Sequence, residues 1–301
     1  MDWEEIILEF CLDITIKGFS KITIKNYKSK LGSTGVYFKK REILPMEITK
    51  LDIRQWILSM QEQGHQASTI NVTVGRVKKL FDYMVEEKYL KENIFEDIVR
   101  LKVHSKIIYP LNDTEIKSIL AEVKKHPYEH IGQRNLVILM LMLDCGLRIN
   151  EVCSIKNKDI LINQIVIRKA KNNKDRSVAL SPVLKKEIIK YQRIKKKKCG
   201  VIDDDTLIIS NKGGILNEKA IWQIMKQIQK KVTIRKEVRF SGHTLRHTYA
   251  GMQLRNGLDI FTLSLNMGHS SVQMTQNYVQ TIKSEDFIEK SIKTSTLMNL
   301  K

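Results

Sequence analysis

Two histidines and an arginine stand close together in Ser241-Gly242-His243-Thr244-Leu245-Arg246-His247. On a helix, His243, Arg246 and His247 fall on one side, at i, i+3 and i+4. A pair of histidines one turn apart can chelate zinc. The zinc-protease pattern, however, needs glutamate where Thr244 stands, and no acidic third ligand is suggested nearby. A histidine beside an arginine can instead serve a phosphate: the guanidinium is a bidentate, charge-assisted clamp, and the imidazole passes a proton near neutral pH. The plain alternative is a histidine satisfied by backbone beside a surface arginine. Two further segments carry reactive types. Met267-Gly268-His269-Ser270-Ser271 is followed, nine residues after His269, by Tyr278, and Gly146-Leu147-Arg148-Ile149-Asn150-Glu151 follows an apolar stretch upstream. Taken singly, Tyr278 reads as a partly buried core residue, Arg148 as a helix cap or a partner of Glu151, Glu151 as structural, and His247 as a packing residue.

Hydrophobic periodicity supplies the elements that must position these groups. Residues 3–16 carry a helical stripe of Trp3, Ile6, Ile7, Phe10 and Ile14. Ser20 and Thr49 are N-cap types for two more helices, and Ser68 or Thr69 begins a fourth that runs to about Lys88. Lys21, Lys25 and Lys28 share one face of the second, either gripping the backbone of a polyanion or facing solvent. Residues 1–100 therefore form an all-helical domain, and 101–111, with weak periodicity and Pro110, a linker. Beyond it, Thr114 opens a helix, and Gln133 to Asp144 is a strongly apolar helix stopped at Cys145-Gly146. Ile165–Ile167 and Ser177–Leu180 are β-type runs joined by the polar segment Lys169 to Arg176, a hairpin with a basic tip. Ser181-Pro182 starts a helix that ends in Lys195–Lys198, which reads as a solvated or phosphate-contacting run. Leu207–Ile209 reads as a short strand, and Asn217 to about Lys231 as a helix. The fold class is mainly α: a helical N-terminal domain, then a mostly helical domain over 112–301 with a small antiparallel hairpin.

Charge is distributed unevenly over the 301 residues. Lys and Arg number 52 against 33 Asp and Glu, a net of +19. Residues 1–100 carry 16 basic and 15 acidic side chains, and the rest carry 36 and 18. A one-sided basic bias suggests a polyanionic partner, although a lysine-rich codon bias would also raise it. The longest apolar run, Leu136 to Leu143, is too short for a membrane span, and the acidic N-terminus is unlike a signal peptide. Cys11, Cys145, Cys153 and Cys199 lack metal-ligand pairing and read as free thiols of a reducing, cytoplasmic compartment. No G-x-x-x-x-G-K-[ST] phosphate loop is present, so no nucleotide cofactor and no metal is expected.

In this order, G-L-R-x-x-E, a basic hairpin lysine, H-x-L-R-H, G-H-S-S and the tyrosine nine residues on resemble the tyrosine recombinase, or phage integrase, family over most of residues 112–290. The resemblance implies roles. Arg148 and Arg246 correspond to the arginines that hold a scissile phosphate, His243 to the acid/base residue, His269 to a second phosphate-bonding histidine, and Tyr278 to the nucleophile. Lys171 best matches the lysine that protonates the leaving 5′ oxygen, but Ala170-Lys171-Asn172-Asn173-Lys174 departs from the family's G-K-G-x-K. Met267 replaces the usual leucine, a volume-conserving change. The residue types suit the chemistry: preorganised cations stabilise a dianionic transition state, and a phenol of pKa about 10 needs cations or a base to attack.

The resemblance further implies a site-specific DNA recombinase that joins strands through a 3′-phosphotyrosyl intermediate, for integration, excision or resolution. Its two domains would clamp duplex DNA, and four protomers would act on two sites. A core-binding region beginning almost at Met1 favours a compact Xer-like recombinase, a transposon-encoded resolvase or a small mobile-element integrase. A tail helix over 284–297, with Phe287, Ile288, Ile292 and Leu297 apolar, matches where the family docks on a neighbouring protomer; docking within its own chain is the alternative. The rival functions are a catalytically inactive DNA-binding regulator and a type IB topoisomerase.

Overall fold

The computed structural model describes residues 1–103, 109–168, 175–199, 205–211, 213–269, 271–273 and 275. Lys171, Tyr278 and the expected tail helix lie outside them. The chain divides into two compact units, Met1–Lys106 and Ile107–Lys301.

Among its described residues the first unit holds four helices, α1 (Trp3–Ile16), α2 (Lys21–Lys39), α3 (Lys50–Glu62) and α4 (Ala67–Glu86). Three start where a short polar side chain accepts backbone N–H groups. Asp2 and Thr49 form capping boxes with Glu5 and Asp52, and Ser20 accepts from Thr23. The fourth begins at Ala67, just ahead of Ser68 and Thr69, with Gln66 in cap geometry but no side-chain cap bond. Trp3, Phe10, Leu31, Phe38, Ile53, Val77 and Phe81 form the core. Trp3 stacks on Phe38 with ring centroids 5.4 Å apart. Gly35 lets α2 approach closely, since a Cβ there would stand 3.0 Å from Trp3 Cβ. Lys21, Lys25 and Lys28 are exposed.

In the second unit come α5 (Asp113–Lys124), α6 (Glu129–Asp144), α7 (Ile149–Ser154), β1 (Gln164–Ile167), β2 (Arg176–Ala179), α8 (Pro182–Cys199), α9 (Glu218–Gln229), α10 (Gly242–Arg255) and α11 (Ile260–Met267). β1 and β2 pair antiparallel, with Ile165 opposite Val178 and Ile167 opposite Arg176. Helix α6 is the central element, with Leu136–Leu139, Leu141 and Met142 all buried. It starts four residues before Gln133, because its first turn is polar and carries no apolar period. Gly242 at the start of α10 packs against Ile149 and Met142, where a Cβ would come within 2.6 Å of both side chains. Leu207–Ile209 is buried but is not a strand. Its neighbourhood pairs only through single bridges, Thr206 with Lys156 and Ile209 with Ile215. Lys195 is only partly exposed, unlike the exposed Lys196, Lys197 and Lys198 that follow it. Its ammonium donates to the carbonyls of Thr206 at 2.7 Å and Leu207 at 3.2 Å and so pins that loop. No described helix is long and apolar enough to cross a membrane.

Candidate active site

Helix α6 ends in a left-handed turn at Gly146, φ +62°, which only glycine accommodates here because a Cβ would collide with the Tyr249 ring. The turn buries Leu147 and delivers Arg148 to the cap position of α7. One turn into α7, the buried Glu151 faces back. Its carboxylate accepts the Arg148 backbone N–H at 2.8 Å and Arg148 Nη1 at 2.9 Å. Arg176, reaching in from β2, donates Nη1 and Nη2 to the two oxygens of the same carboxylate, at 2.7 and 2.8 Å. Burial alone would raise the Glu151 pKa, but the hydrogen bonds and charge of Arg176, then those of Arg148, bring it down to about 2.

The second arm comes from α10, whose N-cap Ser241 accepts the Thr244 N–H. Arg246 is 2% exposed, and its Nη1 donates to the Gly146 carbonyl at 2.7 Å. His243 sits on the exposed edge of the first turn and packs edge-on against His247, with ring centroids 5.1 Å apart. Partial desolvation, then Arg246 and Arg148, hold His243 below the usual imidazole range. Burial, then His243 and Arg246, push His247 down to about 4.

The third arm is the C-terminus of α11, where three successive carbonyls each accept from an arginine. Asn266 O takes Arg176 Nε at 2.9 Å, Met267 O takes Arg246 Nη2 at 2.5 Å, and Gly268 O takes Arg148 Nη2 at 3.3 Å. Cations at a helix C-terminus also complement its partial negative charge. Gly268 lies in the left-handed region at φ +60°, and a Cβ there would stand 3.0 Å from Arg176 Cδ. His269 follows directly, its Nδ1 2.8 Å from Thr275 Oγ1. Burial and then Arg246, Arg148 and Arg176 depress it to about 4.

Four of the six candidate residues, Arg148, Arg246, His243 and His269, are thus brought to one place from segments up to 121 residues apart. The two others lie outside the described residues. Arg176 was missed as a site residue, although its position gave a signal: with period two it shares the inward face of β2 with Val178, an unusual place for arginine. Glu151, read as structural, is the carboxylate on which two of the three arginines converge. Among the described residues, no group of three or more His, Cys, Asp or Glu side chains is arranged to hold a metal ion.

The depressed histidines set a pH dependence. His247 and His269 fold in their neutral forms, so their contribution to stability is complete above the unfolded value of 6.5 and is lost as pH falls toward about 4. Between pH 7 and pH 5 the DNA-free protein should lose on the order of 2 kcal/mol for each of the two. Denaturant unfolding at both pH values checks this, and His247→Asn should remove its share of the slope. An unchanged midpoint would mean that neither ring is held neutral.

Fold and site together define a two-unit, mainly helical protein with a cluster of three arginines and three histidines in its second unit. The second unit matches the phage integrase family over residues 110–285, and residues 9–88 match the phage integrase N-terminal SAM-like domain. The chain belongs to the phage integrase family. It is similar to the tyrosine recombinase XerD of Chlorobaculum tepidum, 25% identical over 97% of this chain and 96% of that one. It is also similar to the tyrosine recombinase XerA of Pyrococcus furiosus, 27% identical over 92% and 89%. The fold is shared with the XerH site-specific recombinase bound to its palindromic difH substrate, with a TM-score of 0.76 at 22% identity, covering 90% of this chain and 80% of that one. It is shared too with the Tn1549 transposon integrase in complex with circular intermediate DNA, with a TM-score of 0.71 at 20% identity, covering 95% and 98%.

Proposed function

We propose that this chain is a site-specific DNA recombinase of the tyrosine type, which breaks and rejoins duplex DNA through a 3′-phosphotyrosyl bond. The observation that carries the reading is the convergence of Arg148, Arg246, His243 and His269 at the C-terminal end of α11. Arg148 and Arg246 neutralise the scissile phosphate as negative charge builds on its oxygens. His269, held neutral, donates a hydrogen bond to a phosphate oxygen, and neutral His243 is an acceptor suited to take the phenol proton. Tyr278 attacks phosphorus, and Lys171 protonates the leaving 5′ oxygen, a role suited to an ammonium whose pKa falls near other cations. The bond energy is retained in the phosphotyrosine, so religation by a 5′ hydroxyl needs no nucleotide hydrolysis.

Residues 1–100 serve as a DNA-binding domain, 101–111 as a connector and 112–301 as the catalytic domain. Four protomers act on two sites in the cytoplasm. Similarity to Xer recombinases and to a transposon integrase supports a role in integration, excision or resolution.

A nicked suicide duplex carrying the target site tests the proposal, because loss of the short 5′ fragment traps any covalent intermediate. The expected result is a protein–DNA adduct on a denaturing gel, formed in EDTA and without ATP. Cleavage that left no adduct, or that required a divalent ion in the chemical step, would overturn it.

A further inference from the structure

We propose that Arg176 is a positioning residue for strand cleavage: by balancing Glu151 it keeps the charge of Arg148 available to the scissile phosphate. The inference rests on the reading of Arg148 as a phosphate-binding group. Arg176 itself is badly placed for that task. Its side chain is 10% exposed, both ends of its guanidinium fork lie on Glu151, and its Nε lies on the Asn266 carbonyl. Arg148 shares the same carboxylate but keeps its side chain 25% exposed.

The charge balance gives the consequence. Two guanidinium groups around one carboxylate carry a net charge of +1, and the more exposed cation is Arg148. Without Arg176, a buried carboxylate would face Arg148 alone, and the pair would be neutral. Poorly screened attraction would then draw the Arg148 guanidinium toward Glu151 and away from an incoming phosphate. A second link runs through α11. Arg176 and Arg148 cap Asn266 and Gly268 on either side of the carbonyl taken by Arg246, immediately before His269. Arg176 therefore also steadies the backbone that carries the second histidine. Because Arg176 is the first residue of β2, it ties the hairpin strand to α7 and α11 at the place where the phosphate would sit.

Single-turnover cleavage of the suicide duplex, with the full-length protein saturating and folded, tests this. Arg176→Met should slow adduct formation about 10–100-fold, the range expected when a partner that orients a reacting group is lost. Duplex affinity should stay within about threefold, because many other phosphate contacts supply it. Arg176→Lys, which keeps a charge against Glu151, should recover most of the rate. The deciding measurement places a methylphosphonate at the scissile position. That group carries one negative charge fewer and depends less on Arg148, so the Arg176→Met penalty should shrink at least about fivefold. A brace with no electrostatic part would slow both substrates alike. Should Arg176→Met not fold, Arg176→Gln keeps donors for Glu151 and Asn266 without the charge and carries the same comparison. An unslowed variant, or equal penalties on the two substrates, overturns the proposal alone. A wild-type protein that forms no adduct overturns the recombinase reading and this proposal with it.

Discussion

Tyr278→Phe is expected to abolish strand cleavage, by more than about 10⁴-fold, the scale seen when a covalent nucleophile is removed. Duplex affinity should change by no more than about threefold, because it comes from cations on phosphates and not from one phenol. The substitution deletes a single oxygen and keeps the ring, so packing is little disturbed. The argument begins with the site. Arg148, Arg246, His243 and His269 can hold and neutralise a phosphodiester, but none of them is suited to form the transient ester. A phenol is, once its proton is taken by a neutral imidazole and its negative charge is met by guanidinium groups. The suicide duplex separates the outcomes. Wild type should give a denaturation-resistant adduct, and the variant free DNA only. An adduct that persisted in Tyr278→Phe would place the nucleophile elsewhere. A loss of affinity beyond tenfold would make Tyr278 a structural residue.

Much of the scaffold can be read directly from side-chain types, because local signals and burial agree. Ser20, Thr49 and Asn217 cap helices where their short oxygens can reach backbone N–H groups, and Trp3, Ile6, Phe10 and Ile14 are buried at helical spacing. The departures arise where tertiary contacts decide. Ser68 and Thr69 are good cap types, yet the chain turns into α4 two residues earlier, at Gln66. Leu207 and Ile208 look like strand residues because they are apolar and fully buried, but their backbone pairs only at isolated points. Lys195 belongs to a run of four lysines that reads as solvated, and only the fold brings it to two carbonyls. The site follows the same division. Arg148, His243, Arg246 and His269 carry recognisable spacing because each sits beside a glycine turn or on one helix face. Arg176 carries only the mark of an arginine on the inward face of a short strand, and nothing local names its partners, Glu151 and Asn266, which lie 25 and 90 residues away.

Arg246 should prove the most demanding of the four described candidates, because it serves structure and chemistry together. It is 2% exposed, and its two terminal nitrogens bridge the Gly146 carbonyl at the end of α6 and the Met267 carbonyl at the end of α11. Truncation removes a cation from the proposed phosphate site and strands two buried acceptors, each costing about 1–3 kcal/mol. Arg246→Ala is therefore expected to lose about 10³-fold or more in cleavage, as when a preorganised donor is removed from a transition state, and about 2–5 kcal/mol in stability. Arg246→Lys should be nearly as slow but more stable. An ammonium restores the charge and can satisfy one carbonyl, but it lacks the planar fork that spans both. Added methylguanidinium gives the check. The Ala variant keeps both carbonyls and leaves a cavity of the right shape, so millimolar methylguanidinium should recover about tenfold in rate. The Lys variant, whose own side chain fills that space, should not respond. If neither variant responded while both remained folded and DNA-bound, the Arg246 guanidinium would be acting only as a bridge between the ends of α6 and α11.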